Sequence, residues 1–500
     1  MIFDIVMFVC ATLILCFSLS QAWLAWNYLR SKNELAGKVT RPIWEESLPR
    51  FLIQLPAYNE KFVVERLLRS AAQLDYPHNL LCIQLLDDSD DETTQIASRI
   101  ITEIAQKGGP QIIHMRRSVR DGYKAGALAY GLKQSDHEFV SIFDADFLPK
   151  TDFLKDVLGY FSDPKVGMVQ TRWDHLNENH SVLTKILGFA IDNHFSVEQG
   201  GRQASDCFIN FNGTAGMWRR RTIDDAGGWS SDCLTEDLDL SFRAQLNGWV
   251  MLFVEEITTP AELPTEMNSI RAQQSRWTKG AVETSRKNLY RLWHSSLGLQ
   301  QKLVGTFHMI NSSIFFPAFL IGLISGAWFI WPSSHQGLRS SLLHTALFIS
   351  FISLGFTYWI SQTRGEFKFK NNHPMQFVAK YLFFMSVIVG FGIQNSKAVL
   401  EGLMGRSTPF VRTPKLNIVG ADKANVSNRN YSINKLPIEF YLEALAAGYF
   451  VMLCIFSFYY KSLDFLDIYV FYAFGFCTIV FFSLNDHMRN IKAFAKPARI

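Results

Sequence analysis

The sequence predicts an α/β domain with a mostly parallel sheet and helices on both faces, joined to an α-helical transmembrane region. Between residues 49 and 262, short and nearly continuous apolar runs alternate with helical stretches, which is typical of buried parallel strands and their crossover helices. Long apolar runs stand near the N-terminus and after residue 300. The composition, with 48% hydrophobic residues and 42 Phe, is too apolar for a soluble enzyme and too polar for a pure channel.

Charge and cysteine content exclude other classes of protein. The net charge of +4 is too weak to indicate a nucleic-acid partner, and the basic residues cluster beside apolar runs instead of forming a stripe. We therefore interpret the basic residues as topology signals. The 7 Cys are scattered along the chain and show neither a disulfide framework nor a pair with zinc-ligand spacing.

The first element is a transmembrane helix, predicted within residues 1–30. Residues 3–29 are apolar and long enough to cross a bilayer, whose core needs roughly 20 residues. No basic region precedes them, so a cleaved signal peptide fits poorly. Because Arg30, Lys32, Lys38 and Arg41 follow, the positive-inside rule places the linker 31–48 and the next domain in the cytoplasm.

The α/β domain is predicted at residues 49–262. Its strands are expected at residues 51–56, 80–86, 112–115 and 139–143. In such folds ligands bind at the carboxyl ends of the strands. Polar residues follow three of these strands, at 56–60, 87–91 and 144–146.

Paired carboxylates stand at two of these strand ends. Asp144 and Asp146 alternate, so both carboxylates face one side of the chain, which suits a hard divalent ion such as Mg²⁺ or Mn²⁺ that also binds phosphate oxygens. The alternative is a solvated turn. Asp87 and Asp88 are either ligand-binding residues or ordinary loop and helix-capping residues, and the Gly and terminal Glu of an EF-hand are missing.

Two further segments contain residues that are suited to contact a sugar. Thr235-Glu236-Asp237 precedes a helical stretch at 238–246, where a carboxylate can take the proton of an attacking hydroxyl or serve as an ordinary acid at a helix N-terminus. Residues 211–216 (FNGTAG) let backbone approach a ligand closely, or form a plain tight turn. We interpret three histidines as structural because they lack the spacing of metal ligands, namely His175, His180 and His194.

A helix is predicted at residues 268–279, where the polar domain meets the membrane region. In a helix, Gln273, Arg276 and Trp277 lie on one face. An amide, a planar cation and an indole on one face can hold a sugar and place positive charge near a diphosphate leaving group. The alternative is an amphipathic helix whose Arg snorkels and whose Trp lies at the lipid boundary. Residues 263–300 as a whole are expected to form interfacial helices.

The rest of the chain is dominated by apolar runs, at about residues 303–331, 342–360, 377–393, 438–460 and 465–484. If all five cross the membrane, the basic loop 398–437 and the basic tail 485–500 lie outside, against the positive-inside rule. If 377–393 lies along the membrane surface, both segments return to the cytoplasm. We therefore predict two transmembrane helices in 301–361, an interfacial helix and a basic loop in 362–437, and two transmembrane helices in 438–484. Hydropathy alone counts six spans in the chain.

The order of these motifs resembles a known family. Asp87-Asp88, the Asp144/Asp146 pair, TED at 235–237 and QxxRW at 273–277 are similar to family 2 glycosyltransferases of the cellulose-synthase-like group, over about residues 50–290. Within that group, plant A-type mannan and glucomannan synthases and their bacterial relatives are most similar at residues 122–128, 143–147, 194–199 and 211–216.

The resemblance implies a GT-A fold and a membrane-embedded, processive, inverting hexosyltransferase. The expected product is a β-linked polysaccharide, with the β-1,4 linkage of the resembled group, made as mannan, glucomannan or glucan and translocated through the protein's own helices. The donor is expected to be GDP-mannose or UDP-glucose with Mg²⁺ or Mn²⁺, and the acceptor the growing glycan. Membrane lipids are the other partner, an accessory subunit is left open, and a bacterial protein would lie in the inner membrane.

The motifs also carry residue roles, with Asp237 as the catalytic base. The nucleotide is expected to contact Pro56, Tyr58, Glu60, Asp87, Asp88, Lys124 and Asp144, and the metal Asp144 and Asp146. Acceptor and pyrophosphate are expected at Gly213, Thr235, Glu236, Gln273, Arg276 and Trp277. A gating loop that closes over the nucleotide is expected at Phe410, Thr413 and Lys415. Arg412 stands where the family has valine, and the alternative for this loop is a lipid-headgroup contact by Arg412 and Lys415.

Three other functions fit the sequence less well. A non-processive lipid glycosyltransferase of the ceramide-glucosyltransferase type shares the motifs, but several C-terminal spans with a basic loop favour a polymerase, whose product needs an exit path. Complete carboxylate motifs argue against a transporter with a degenerate soluble domain. A glycosidase needs two carboxylates across a sugar, and the TED and QxxRW motifs beside a membrane have no place in that mechanism.

Overall fold

The computed structural model describes residues 2–35, 47–329, 336–364, 373–406, 408, 412–413, 415–420 and 436–495. An α/β unit follows the first long helix, and a bundle of apolar helices follows the α/β unit. One long helix, Met267–Trp293, connects the two parts.

The centre of the α/β unit is a seven-stranded sheet with the order β3-β2-β1-β4-β6-β5-β7. The strands are β1 (Phe51–Ala57), β2 (Leu81–Asp87), β3 (Gln111–Met115), β4 (Phe139–Ile142), β5 (Val166–His175), β6 (Gly216–Arg219) and β7 (Val250–Ala261). The expected strands correspond to β1–β4. Only β6 runs antiparallel to its neighbours, so the prediction of a mostly parallel sheet is confirmed.

Helices cover both faces of this sheet, because the strands are buried on both sides. One core joins the sheet to α2 and α3, and a second joins it to α4 and α9. The helices of this unit are α2 (Val64–Ala72), α3 (Thr93–Gln106), α4 (Tyr123–Lys133), α5 (Phe153–Leu158), α6 (Val182–Asn193), α7 (Gly200–Ala204), α8 (Arg220–Asp225) and α9 (Glu236–Leu246). A π-helical segment, His194–Gln199, joins α6 to α7.

Strands β5 and β7 continue beyond the rest of the sheet. The last β5 residue paired with β6 is Gln170, whereas the β5–β7 pairing continues to His175 opposite Ala261 after a register shift at Thr171/Arg172. A two-stranded ribbon therefore extends past the carboxyl edge of the sheet, where ligands bind in folds of this kind.

The remaining helices are mostly long and apolar. They are α1 (Ile2–Leu35), α10 (Met267–Trp293), α11 (Leu299–Ile310), α12 (Phe315–Ser325), α13 (Gln336–Arg364), α14 (Pro374–Gly390), α15 (Gly392–Leu403), α16 (Ile438–Tyr459) and α17 (Leu466–Ala495). Among the described residues, 5 helical segments are long and apolar enough to cross a membrane, namely Ile2–Ser31, Leu299–Ser325, Ser341–Thr363, Ile438–Tyr459 and Leu466–Ile491. The pair α14 and α15 is bent by 50° and would make a sixth if counted as one span.

Helix α10 connects the sheet to this bundle. Its N-terminal part is held by Arg271, whose guanidinium binds both carboxylate oxygens of Glu443 on α16 and donates to Ser483 Oγ on α17 at 2.7 Å. Farther along α10, helix α15 packs so closely that a Cβ on Gly402 would lie 2.9 Å from Val282 Cβ. The QxxRW residues therefore lie on a helix anchored to the apolar bundle.

Candidate active site

A cleft of about 700 Å³ opens at the carboxyl edge of the sheet. Antiparallel β6 begins there, because Gly216 pairs with Ile142, so the FNGTAG segment reaches the same edge as the strand ends. The cleft brings together sixteen of the predicted site residues: Pro56, Tyr58, Glu60, Asp88, Lys124, Asp144, Asp146, Gly213, Thr235, Glu236, Asp237, Gln273, Arg276, Trp277, Thr413 and Lys415.

Two predicted residues are not part of this group. Phe410 lies outside the described residues. Asp87 turns away from the cleft into a buried turn, where its carboxylate accepts bonds from Ser89 N at 2.9 Å and Thr94 Oγ1 at 2.8 Å and lies 2.9 Å from His114 Nε2. Burial opposes ionisation of Asp87, but these hydrogen bonds lower its pKa to about 2. The structure thus gives Asp87 a role in shaping the turn that presents Asp88.

Asp144 and Asp146 follow β4 and each binds an ammonium group. Lys124 Nζ lies 2.5 Å from Asp144 Oδ1 and donates to Gly213 O at 2.9 Å, and Lys415 Nζ lies 2.7 Å from Asp146 Oδ2. Two carboxylates that attract cations at one edge of a cleft are the oxygen ligands that a hard divalent ion prefers. Asp144 and Asp146 therefore fit a Mg²⁺ or Mn²⁺ site.

Asp237 lies in the first turn of α9, where burial and the neighbouring Glu236 carboxylate raise its pKa to about 7. The Lys124 ammonium, the Leu238 N–H and the Arg276 guanidinium act in the opposite direction. A buried carboxyl group with a pKa near neutrality is half ionised at working pH and can accept a proton. The environment of Asp237 therefore suits a general base.

The backbone at Gly213 comes within contact distance of this carboxylate. Gly213 has φ +82°, and a Cβ added there would lie 2.8 Å from Asp237 Oδ2 and 3.4 Å from Lys124 Nζ. Glycine is needed both for the left-handed backbone and for the space. FNGTAG is therefore the wall of the cleft that faces the candidate base.

Gln273, Arg276 and Trp277 lie on α10 and line the cleft together, as the helical spacing predicts. Close packing holds this helix against the TED segment, since a Cβ on Gly280 would lie 2.5 Å from Thr235 Cγ2. Leu234 N also donates to Glu283 Oε2 on α10 at 2.8 Å. The base and the QxxRW residues are thus fixed relative to each other.

The described part of the basic loop is seated on the cleft, and we call residues 412, 413 and 415–420 the lid segment. Arg412 donates to both carboxylate oxygens of Glu60, at 3.0 and 2.8 Å. Leu416 N donates to Glu262 Oε1 at 2.8 Å. Burial raises the pKa of Glu60 to about 7 although Arg412 opposes the shift. Together with Lys415 on Asp146, three carboxylates hold this segment.

Several cleft residues were not found from the sequence. Arg120 lies with its guanidinium carbon 3.4 Å from the ring centre of Tyr58, and Asp88 is bound by Arg117 at 3.0 Å. The β5 end supplies Trp173, Asp174 and His175, although His175 was interpreted as structural. They are the last residues of β5 and carry no local sequence signal of a ligand site. Other residues that line the cleft and were not predicted from the sequence are Glu262, Glu283, Arg286 and Lys287.

Comparisons with known proteins concern mainly the domain around this cleft. A family model described as "Glycosyltransferase like family 2" matches residues 49–280. The chain is 38% identical over 245 residues to glucomannan 4-beta-mannosyltransferase 7 of Arabidopsis thaliana, covering 48% of this chain and 44% of that protein. It is 41% identical over 249 residues to probable glucomannan 4-beta-mannosyltransferase 4 of Oryza sativa subsp. japonica, covering 48% and 45%. The match therefore spans less than half of either relative.

Among solved structures, the mannosyltransferase PcManGT from Pyrobaculum calidifontis, in complex with GDP-Man and Mn²⁺, superposes with a TM-score of 0.55 at 16% identity. That alignment covers 81% of this chain and 100% of that chain. At such low identity the similarity concerns the fold, which is of the GT-A type.

Proposed function

We propose that this chain is an inverting hexosyltransferase that builds a β-linked polysaccharide at a membrane, because residues 49–280 match a family model described as "Glycosyltransferase like family 2". The observation that carries this proposal is Asp237, a partly buried carboxylate with a pKa of about 7 in one cleft with the Asp144/Asp146 pair and Arg276. Base, metal ligands and cation are the groups that a single displacement at a sugar nucleotide needs.

The proposed chemistry is a single displacement in which each of these groups has a role. The hydroxyl oxygen of the acceptor attacks the anomeric carbon as the bond from that carbon to the diphosphate oxygen breaks, so the configuration inverts. Asp237 accepts the hydroxyl proton, and the nucleoside diphosphate leaves. Lys124 and Arg276 hold the negative charge that develops on the leaving group. A divalent ion bound by Asp144 and Asp146 would supply further positive charge there.

The relatives' names support mannose as a transferred sugar. Both matched proteins are named glucomannan 4-beta-mannosyltransferases, so we propose GDP-mannose as the donor, with UDP-glucose as the alternative, and a β-1,4-linked mannan or glucomannan as the product. Asp88, Tyr58 and Glu60 lie at the end of the cleft formed by β1 and β2 and are the proposed nucleotide contacts.

We further propose that the cleft faces the cytoplasm and that the glycan leaves through the helix bundle. The anchoring of α10 to α16 and α17 supports a direct path from cleft to membrane. Cysteine labelling with an impermeant reagent outside intact cells tests the orientation: Met404→Cys, after α15, should stay unlabelled, and Asp464→Cys, between α16 and α17, should react. The exposed Cys16 and Cys477 are replaced beforehand. Labelling of Met404→Cys without labelling of Asp464→Cys would contradict the proposed orientation.

The activity is tested with the purified chain in detergent, Mn²⁺ or Mg²⁺, and a panel of labelled sugar nucleotides. We expect release of GDP and a polymer that a β-1,4-mannanase digests, and at least ~10²-fold less of both from Asp237→Asn. A labelled glycolipid without polymer would favour a lipid glycosyltransferase. No transfer from any sugar nucleotide would overturn the proposal.

A further inference from the structure

One wall of the cleft has no role in the chemistry above. It is formed by the end of the β5–β7 ribbon, and we call Trp173, Asp174 and His175 the β5 tip. We propose that the β5 tip is a sugar-binding subsite for the acceptor glycan, on the side of the cleft that faces the helix bundle. The proposal rests on the proposed function, since it assigns a place to that reaction's acceptor.

The side chains of the β5 tip are the kinds that bind sugars. The Trp173 ring is held edge-on by Phe147, with ring centres 5.1 Å apart, and is tilted against Phe195 at 5.3 Å, so it is a rigid apolar wall. Asp174 Oδ1 accepts the His175 N–H at 2.8 Å, which leaves its second oxygen as an acceptor for sugar hydroxyls. Trp173 and His175 share one face of β5 and Asp174 lies on the other, and all three line the cleft, so the end of the ribbon presents both apolar and polar groups to a pyranose ring.

The imidazole of His175 is fixed by a buried network. His175 Nε2 lies 3.2 Å from Asp192 Oδ1 on α6, and the same oxygen accepts a bond from Arg172 Nη2 at 2.7 Å. A Cβ on Gly188 would lie 3.3 Å from His175 Cδ2, so the ring is also confined from the side. Because Nε2–H donates to the carboxylate, Nδ1 is the nitrogen that can accept a bond from a ligand.

The position of the β5 tip separates it from the nucleotide end of the cleft. Helix α6, which braces His175, packs against α13 and α14 through Phe189, Tyr358 and Phe384, and its Ile191 also lines the cleft. The proposed nucleotide contacts Tyr58, Glu60 and Asp88 follow β1 and β2, and β4 and β6 lie between those strands and the ribbon. A glycan that passes from the cleft towards the apolar helices would therefore meet the β5 tip, while the donor nucleotide would not.

The test compares acceptor and nucleotide affinity in the full chain in detergent. In Asp174→Ala and His175→Ala, the KM for a soluble β-1,4-linked manno- or gluco-oligosaccharide should rise about tenfold, equivalent to about 1.4 kcal/mol, while the GDP dissociation constant measured by calorimetry stays within about twofold. The matched control is Asp163→Ala, because Asp163 also accepts a nearby backbone N–H, from Lys165 at 2.9 Å, but precedes β5 at its other end. That variant should keep the wild-type acceptor KM.

Each outcome decides the proposal. An unchanged acceptor KM in both variants would overturn it, and so would an equal loss of GDP affinity in a folded variant, which would assign the β5 tip to the donor. If Asp174→Ala does not fold, the isosteric Asp174→Asn takes its place with the same criteria. If the wild-type chain transfers no sugar at all, the proposed function fails instead, and direct calorimetry of the oligosaccharide with wild type and Asp174→Asn still tests the subsite.

Discussion

The pH dependence of transfer tests the assignment of Asp237 most directly. The base acts when it is ionised, and burial beside Glu236 raises its pKa to about 7. The rate should therefore rise with pH and level off above neutrality, and at pH 6 only about a tenth of the carboxyl groups are ionised. We expect kcat/KM for the sugar nucleotide at pH 6 to be about a tenth of the plateau value, because kcat/KM reports the ligand-free enzyme.

Two substitutions locate this titration on Asp237. Asp237→Asn keeps the volume but removes the base, so the plateau should fall by at least ~10²-fold and the rise near neutrality should disappear. Glu236→Gln removes a like charge, so the pKa of Asp237 should fall and the rise should move to lower pH. An adjacent charge at an effective dielectric near 20 is worth a few kcal/mol at most, which limits the shift to about two to three pH units.

The assay is GDP release from labelled GDP-mannose at subsaturating donor between pH 5.5 and 8.5, with polymer recovered in parallel. Glu60 is the matched control, because its pKa is also raised to about 7 although it lies on the β1 side of the cleft. Glu60→Gln should weaken donor binding but keep the rise of kcat/KM with pH. A flat profile for the wild-type chain, or an Asp237→Asn variant with the wild-type rate and profile, would refute the reasoning.

Three further predictions concern other parts of the cleft. Gly213→Ala should abolish transfer, because the new Cβ would lie 2.8 Å from Asp237 Oδ2 in a backbone with φ +82°; an active variant of normal stability would contradict this. Asp146→Ala should weaken Mn²⁺-dependent GDP binding measured by calorimetry, and unchanged metal dependence would remove Asp146 from the metal site. Thr413→Ala combined with Lys415→Ala should stop polymer synthesis while expression and much of the GDP affinity remain, and polymer made at the wild-type rate would favour a lipid-headgroup contact instead.

Local sequence patterns predicted those elements of the fold whose conformation depends mainly on neighbouring residues in the chain. The run at residues 51–56 became β1 (Phe51–Ala57), because a short, nearly continuous apolar stretch bounded by turn residues is typical of a buried strand. The helix expected at 268–279 lies within α10 (Met267–Trp293), and its 3.6-residue period places Arg276 and Trp277 in the cleft together. In both places neighbouring residues in the chain determine the outcome.

Other features depend on partners distant in sequence and could not be read locally. Asp87 and Asp88 are adjacent at a strand end, so they must face opposite sides, but only the fold shows that Asp88 lines the cleft and that Asp87 lies beside His114. His175 carries no local signal, because Asp192 on another helix fixes its ring. Strand β6 was not expected either, since its residues, GMWR, lack the continuous apolar run that predicts a buried strand.

The position of the lid segment also could not be predicted from its local sequence. Its surroundings in the sequence are polar and contain few apolar residues, which by itself predicts a mobile loop. Glu60, Asp146 and Glu262 come from three separate elements and converge at one edge of the cleft, and buried carboxylates without partners are costly. Arg412, Lys415 and the Leu416 N–H supply those partners at 2.8, 2.7 and 2.8 Å. The carboxylates therefore determine where the segment lies, and Asp146, the proposed metal ligand, is one of them. If Asp146 binds a divalent ion, that ion and the Lys415 ammonium share one carboxylate, so we expect binding of the donor with its metal to shift the lid segment, which is why Lys415 belongs in the double substitution above.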